Sequence, residues 1–231
     1  MKILAVADVH SPRFHEEFKS ELSTHSEPDL FLMAGDMIHR GIADEIVRVL
    51  DTIEDTLGLG FPIIGCFGNE EYAEIRKTLV NLVEGRMTFL DEQSSSVKSD
   101  GKTIGVVGTQ GSLDKATTWQ RRNIPGVKRV FERRARRAAS LLKGLMKKVD
   151  HTILLMHYSP CLETCEGEVD KAFAWLGSRK FYSVLEKRQP DLVIHGHVHN
   201  SWTHEAVIGR TLVRNVAFPA VGTVTELNLW S

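Results

Sequence analysis

Cysteine is scarce in this chain of 231 residues: Cys66, Cys161 and Cys165 are too few, and odd in number, for a disulfide framework, which points to a reducing compartment. No run of 18 apolar residues exists to cross a membrane, and the apolar start Met1–Ala7 is broken by Asp8 long before it reaches the length of a signal-peptide core. The chain is therefore expected to be cytoplasmic, with no membrane partner. Low-complexity tracts, internal repeats and linkers are missing as well, so a single domain over 1–231 is expected. Net charge is nearly absent, at −1, yet 42% of residues are hydrophobic and 26% charged, which excludes a disordered chain. The small total hides a polarity. Residues 121–148 carry eleven basic residues against the single acid Glu132, so a +10 segment sits inside a −11 body.

Short apolar runs bounded by turn residues predict buried strands at 3–7, 30–34, 63–67, 103–107, 152–156 and 192–194. Helical patterns at 14–24, 43–57, 71–83 and 178–187 lie between them, which implies an α/β layered fold. From residue 201 the pattern changes to a hairpin turning at Gly209-Arg210 and a closing strand near 224–229; another hairpin turns at Asp100-Gly101. Two sheets with helices outside fit this order better than one doubly wound sheet.

The polar residues fall where those strands end. The first strand runs into Asp8-Val9-His10, the second into Gly35-Asp36, the third into Gly68-Asn69-Glu70, the strand at 152 into His157, and the strand at 192 into His195-Gly196-His197-Val198-His199. One aspartate after a strand is ordinarily a helix cap. Five strand ends that each carry a metal-ligand type are a different matter, because sites assemble at the carboxyl ends of parallel strands. Asp8, Asp36 and Asn69 supply oxygen, and His10, His157, His197 and His199 supply imidazole, a thiolate-free set suited to Mn, Fe, Zn, Co or Ni. Seven ligands exceed the needs of one such ion; two ions sharing a carboxylate would use them all and would clamp both oxygens of an in-line phosphoryl displacement.

In its Asp-x-His, Gly-Asp, Gly-Asn, lone His and Gly-His-x-His motifs, in that order from residue 8 to 199, the sequence resembles the calcineurin-like metallophosphoesterases, and among them the small archaeal and bacterial members. The resemblance implies a four-layer αββα sandwich of two mixed β-sheets flanked by helices. It also implies two divalent ions, manganese first among the candidates. Asp8, His10, Asp36 and His199 would hold one, and Asp36, Asn69, His157 and His197 the other. The implied reaction is phosphoester hydrolysis by a metal-bridging hydroxide, with a phosphodiester preferred over a monoester.

This chain departs from the pattern at Glu70, where many members have histidine beside the leaving group; burial would have to raise its pKa for it to serve as a general acid. His195 reads as core or as support for a ligand, and His15, His25, His39, His151 and His204 as surface. Within the basic segment, apolar positions from Val127 to Val149 follow helical spacing, which predicts a packed helix with a basic back. Arg134 falls on its apolar side, from where it could reach a buried carboxylate or a substrate phosphate. Two alternatives stay open: a nuclease holding nucleic acid with the 121–148 segment, although Trp119 and Phe131 give it little aromatic interleaving, and a non-catalytic scaffold of the same fold.

Overall fold

The computed structural model describes residues 1–229. β1 (Lys2–Val6), β2 (Leu30–Met33), β3 (Ile63–Gly65) and β4 (Thr88–Phe89) run parallel, and β11 (Thr225–Asn228) closes one edge antiparallel to β1. The second sheet has the order β5 (Gln93–Ser99), β6 (Lys102–Thr109), β7 (His151–Met156), β8 (Leu192–His195), β10 (Thr211–Asn215), β9 (Glu205–Ile208). Its inner strands are parallel and both edge strands antiparallel.

Because side chains alternate along a strand, each apolar run serves two layers. Leu4, Val6, Phe31 and Met33 pack outward against α1 (His15–Leu22), α2 (Glu45–Leu57) and α3 (Arg76–Leu82). Ile3, Ala5, Leu30 and Leu32 face the space between the sheets, where they meet Ile104, Val106, Ile153, Leu155 and Ile194. On the far side Leu154, Met156 and Val193 pack against α5 (Val127–Leu145) and α6 (Arg179–Arg188) through Ala138, Leu142, Phe181 and Leu185. The result is a four-layer αββα sandwich. Each fully buried Leu, Ile or Phe contributes roughly 1.5–3 kcal/mol of transfer free energy, so the strands are fixed from both faces and their ends become rigid anchor points.

The two sheets meet at those ends. Ala7 N donates to Val216 O at 3.0 Å, Phe218 N donates to Ala7 O at 2.8 Å, and Gly196 N donates to His157 O at 3.1 Å. With Asp8 N also donating to Gly35 O at 3.0 Å, the residues that follow β1, β2, β7 and β8 are brought to one face.

Between β6 and α5 lies α4 (Thr118–Asn123), opened by a capping box in which Thr117 and Gln120 bond each other's backbone N–H. Two 3₁₀ turns, Glu163–Cys165 and Asp170–Trp175, lie in 160–177. His15 is buried rather than surface, because it lies on the inner face of α1 with Nε2 2.9 Å from Thr52 Oγ1. The basic helix α5 does back the second sheet with Phe131, Ala135, Ala138 and Leu142. Arg133 and Arg137 are tied to Glu92, on its carboxylate and its carbonyl oxygen respectively. No helix among the described residues is long and apolar enough to cross a membrane.

Candidate metal centre

Two carboxylate–imidazole groups stand at the strand ends: Asp8, His10 and His199 in one, Asp36, His157 and His197 in the other. Within the first, His199 Nε2 donates to Asp8 Oδ1 at 2.9 Å, and His10 Nε2 lies 3.7 Å from the same oxygen. In the second, His157 Nε2 is 3.4 Å from Asp36 Oδ2 and 3.1 Å from Asn69 Oδ1. The ring centroids of His157 and His197 are 5.0 Å apart, and those of His10 and His199 5.4 Å apart.

The imidazoles are held from behind. His157 Nδ1 donates to Ala34 O at 2.9 Å, which fixes the tautomer and presents Nε2 to the centre. His197 Nε2 donates to Trp175 O at 3.1 Å. His195 is fully buried between Thr164 Oγ1 and Gly196 O, supporting the loop from the core.

Backbone strain marks the same places. Among the described residues, eight non-glycine residues have left-handed φ, and Asp8, His10, Asp36 and His197 are four of them. Such conformations cost of order 1–3 kcal/mol and persist where the surroundings over-determine them, as at functional sites.

Charge tells a consistent story. Asp8 and Asp36 are buried carboxyl groups. Burial alone would raise Asp8, but the His199 hydrogen bond and the charges of His157, His199 and His10 outweigh it and hold Asp8 far below the usual carboxylate range. Burial lowers His157, yet Asp36 and Asp8 more than reverse this and lift it to about 9. Burial, then the His157 charge, pulls His197 down to about 4. His10 Nδ1 and His39 Nδ1 are buried without a hydrogen-bond partner. Buried carboxylates, imidazoles and an amide oxygen without thiolate form the donor set of divalent transition-metal ions, and the residues present fit such ions.

The sequence matches the family model for the calcineurin-like phosphoesterases over residues 1–201 of the chain. The chain belongs to this family. Phosphopantetheinyl hydrolase from Mycobacterium tuberculosis has a similar fold, with a TM-score of 0.64 over 94% of this chain and 90% of that one at 16% identity. So does a 5′-nucleotidase precursor from Thermus thermophilus, with a TM-score of 0.60 at 13% identity, covering 99% of this chain and 51% of that one. A stretch of 117 residues, 49% of the chain, is 29% identical to the interferon-induced GTP-binding protein MxC of Danio rerio, of which it spans 18%.

In this calcineurin-like phosphoesterase the position after Gly68-Asn69 behaves as an anion. Burial opposes it, but the neighbouring His10 imidazole, the Arg40 N–H and the His39 charge bring Glu70 down to about 2, so the raised pKa required of a general acid is not found. The carboxylate faces His39 Nδ1 at 3.4 Å and His10 Nδ1 at 3.6 Å and accepts Arg40 N–H at 2.5 Å. His39, read from the sequence as surface, therefore joins a third group with His10 and Glu70. Nothing in its spacing announced this. It arrives because the loop after Asp36 folds against the loop after Gly68.

Glu71 is the residue that sequence reasoning passed over. It is buried, and its carboxylate accepts from Asp36 N at 2.8 Å, Gly68 N at 2.7 Å, Met37 N at 2.9 Å and Ile38 N at 3.3 Å. Burial and then the Asp36 carboxylate push it up to about 7. With both oxygens occupied by N–H donors, the anion is nevertheless the form that fits. One side chain thus staples the Asp36 loop to the Asn69 loop.

Glycines complete the packing around the carboxylates. A Cβ on Gly196 would overlap both Asp8 Oδ2 and Ala7 Cβ. We expect Gly196→Ala to displace Asp8, lowering divalent-metal affinity about 10–100-fold and costing about 1–3 kcal/mol of stability. Metal titration and thermal melting of the variant check both.

Proposed function

We propose that this chain is a dinuclear metal-dependent phosphoesterase that prefers phosphodiesters. The observation that carries the reading is the pairing of two adjacent carboxylate–imidazole groups, each backed by its own hydrogen bonds. Asp8, His10 and His199 would hold one divalent cation and Asn69, His157 and His197 the other, with Asp36 shared, and Mn²⁺ is the first candidate. Bound divalent cations supply charge to neutralise phosphoryl oxygens and lower the pKa of water toward neutrality.

The chain's own part is positional. Ala34 O keeps His157 Nε2 aimed at the centre, and Asp8 Oδ2 accepts the backbone N–H of His197 at 2.8 Å, fixing the histidine loop to β1. Glu70 acts as the anion that orients His10 and His39 rather than as a proton donor. Without a strong acid beside the leaving oxygen, good leaving groups are favoured, and the absence of a second negative charge on a diester suits a site that already carries Glu70.

Assaying bis(p-nitrophenyl) phosphate and p-nitrophenyl phosphate side by side with Mn²⁺ tests the preference. The expected kcat/KM is at least about 10-fold higher for the diester; a monoester preference overturns it, and no hydrolysis of either ester by folded, metal-loaded protein overturns the whole reading.

A further inference from the structure

The metal centre opens on one side into a cleft of about 880 Å³, within the range of small-molecule sites. Asn69, Glu70 and His197 form its inner end, and α4 with the first half of α5 forms the opposite wall. That wall has a small core of its own, Leu113, Val127, Phe131 and Tyr158, with Ala116 and Ile124 packed against it. It is also braced: Gln120 Nε2 donates to Tyr158 Oη at 3.1 Å and Asn123 Nδ2 donates to the Trp119 carbonyl at 2.9 Å. The wall is therefore a built surface and not a loose loop.

Two of its side chains are out of keeping with a merely structural role. Trp119 keeps 57% of its surface in solvent at the cleft, a large apolar plane left uncovered beside a wall core that buries Leu113, Phe131 and Tyr158. Arg134 also lines the cleft, its side chain only 11% exposed. Its Nη1 donates to Gly111 O at 3.2 Å, while its Nε is buried with no hydrogen-bond partner. The nearest carboxylate, Glu92, is 3.8 Å away and is already taken at 2.8 Å by Arg133. A desolvated guanidinium with donors unspent is costly unless an acceptor arrives, and its planar fork matches phosphate oxygens.

Resting on the phosphoesterase reading above, we propose that this cleft seats the non-reacting part of a mononucleotide-sized phosphoester, with a planar base against Trp119 and a second phosphate on Arg134. Aromatic faces accept any base, because every base presents a π-face. A phosphate polymer is the poorer match: Arg134 is the one cation of the basic segment in the cleft lining, the other lining arginine, Arg76, is already held by Asp91, Gln110 and the Glu71 carbonyl, and Glu70 and Glu74 line the cleft too.

The test is a set of calorimetric dissociation constants for ribose 5-phosphate, adenosine 5′-monophosphate and adenosine 3′,5′-bisphosphate on Mn²⁺-loaded protein. The expected order is about 10-fold tighter binding on adding the base and about 10-fold more on adding the second phosphate. Trp119→Ala should collapse the first ratio toward one and Arg134→Met the second, with Arg134→Lys intermediate because it keeps the charge and loses the fork. Wild-type ratios within about twofold of one, or ratios that survive these substitutions, overturn the proposal. Hydrolysis of bis(p-nitrophenyl) phosphate is measured separately: turnover with flat ratios removes this inference alone, and the expected ratios without turnover of any ester remove the catalytic reading while the binding site stands.

Discussion

Replacing Asp36 by alanine is expected to lower phosphodiester turnover by about 10³-fold or more and to leave at most one equivalent of bound divalent metal, against the two proposed for the parent chain. Asp36 is buried, with Oδ2 3.4 Å from His157 Nε2 and Oδ1 accepting Glu70 N–H at 2.7 Å, so it faces one imidazole group and tethers the loop that carries Asn69. Asp36→Asn is the sharper companion. It keeps the size and the acceptor for Glu70 N–H but removes the charge, and it also relieves the like-charge contact that helps push Glu71 upward. Because it also removes the partner that holds buried His157 charged, the two effects oppose one another, and the metal-free melting temperature of Asp36→Asn should stay within a few degrees of the metal-free parent's, which separates loss of metal from loss of fold. Metal analysis, kcat and melting in chelator provide the readouts; metal content and turnover within tenfold of the parent in Asp36→Ala would falsify the shared-ligand assignment.

Glu71→Ala is expected to be the most destabilising single change near the centre. It strands the N–H groups of Asp36, Met37, Ile38 and Gly68, which the carboxylate now accepts in a buried setting. Each stranded donor costs about 1–3 kcal/mol, and relaxation makes the sum sub-additive; about 4 kcal/mol overall is a fair expectation, or a fall of roughly 10 °C in Tm for a chain of this size. Glu71→Gln keeps the volume but offers one accepting oxygen, so about half the loss should follow. Because the staple joins the Asp36 and Asn69 loops, metal affinity should fall in both variants. An unchanged Tm for Glu71→Ala would show that water or loop movement satisfies those amides and that the staple is dispensable.

Much of this was legible in the chain because strand-end chemistry is written locally. Apolar runs ending in Asp8-x-His10, Gly35-Asp36, His157 and His197-x-His199 name both the buried strands and the residues that their ends project to one face. The two sheets followed from the switch to hairpins after residue 201, and β9 and β10 pair antiparallel as that switch requires. Other parts depend on contacts between distant segments. His39 reaches Glu70 across 31 positions of sequence, and Glu71 reaches the amides after β2 from the loop after β3; periodicity carries no trace of either. Burial alone was the wrong guide for Glu70, since the imidazoles and the Arg40 amide that lower it come from other loops. By contrast α4 has a local signal, because Thr117 to Gln120 is a capping-box sequence that the strand-and-helix reading passed over.

The basic segment that polarises the chain also resolves into parts. Phe131, Ala135, Ala138 and Leu142 seat α5 on the second sheet, Arg133 and Arg137 are drawn to Glu92, and Arg134 turns into the cleft beside the metal centre. Its charge count is thus a poor guide to its role, and the position of one guanidinium is a better one.

The central claim is that the strand-end carboxylates and imidazoles hold two divalent cations that drive phosphoester hydrolysis. Its most direct test is to titrate chelator-stripped protein with Mn²⁺ while following hydrolysis of bis(p-nitrophenyl) phosphate. The account predicts negligible rate without metal and a rise that saturates at two equivalents per chain; a rate that ignores both the chelator and the added metal would contradict it.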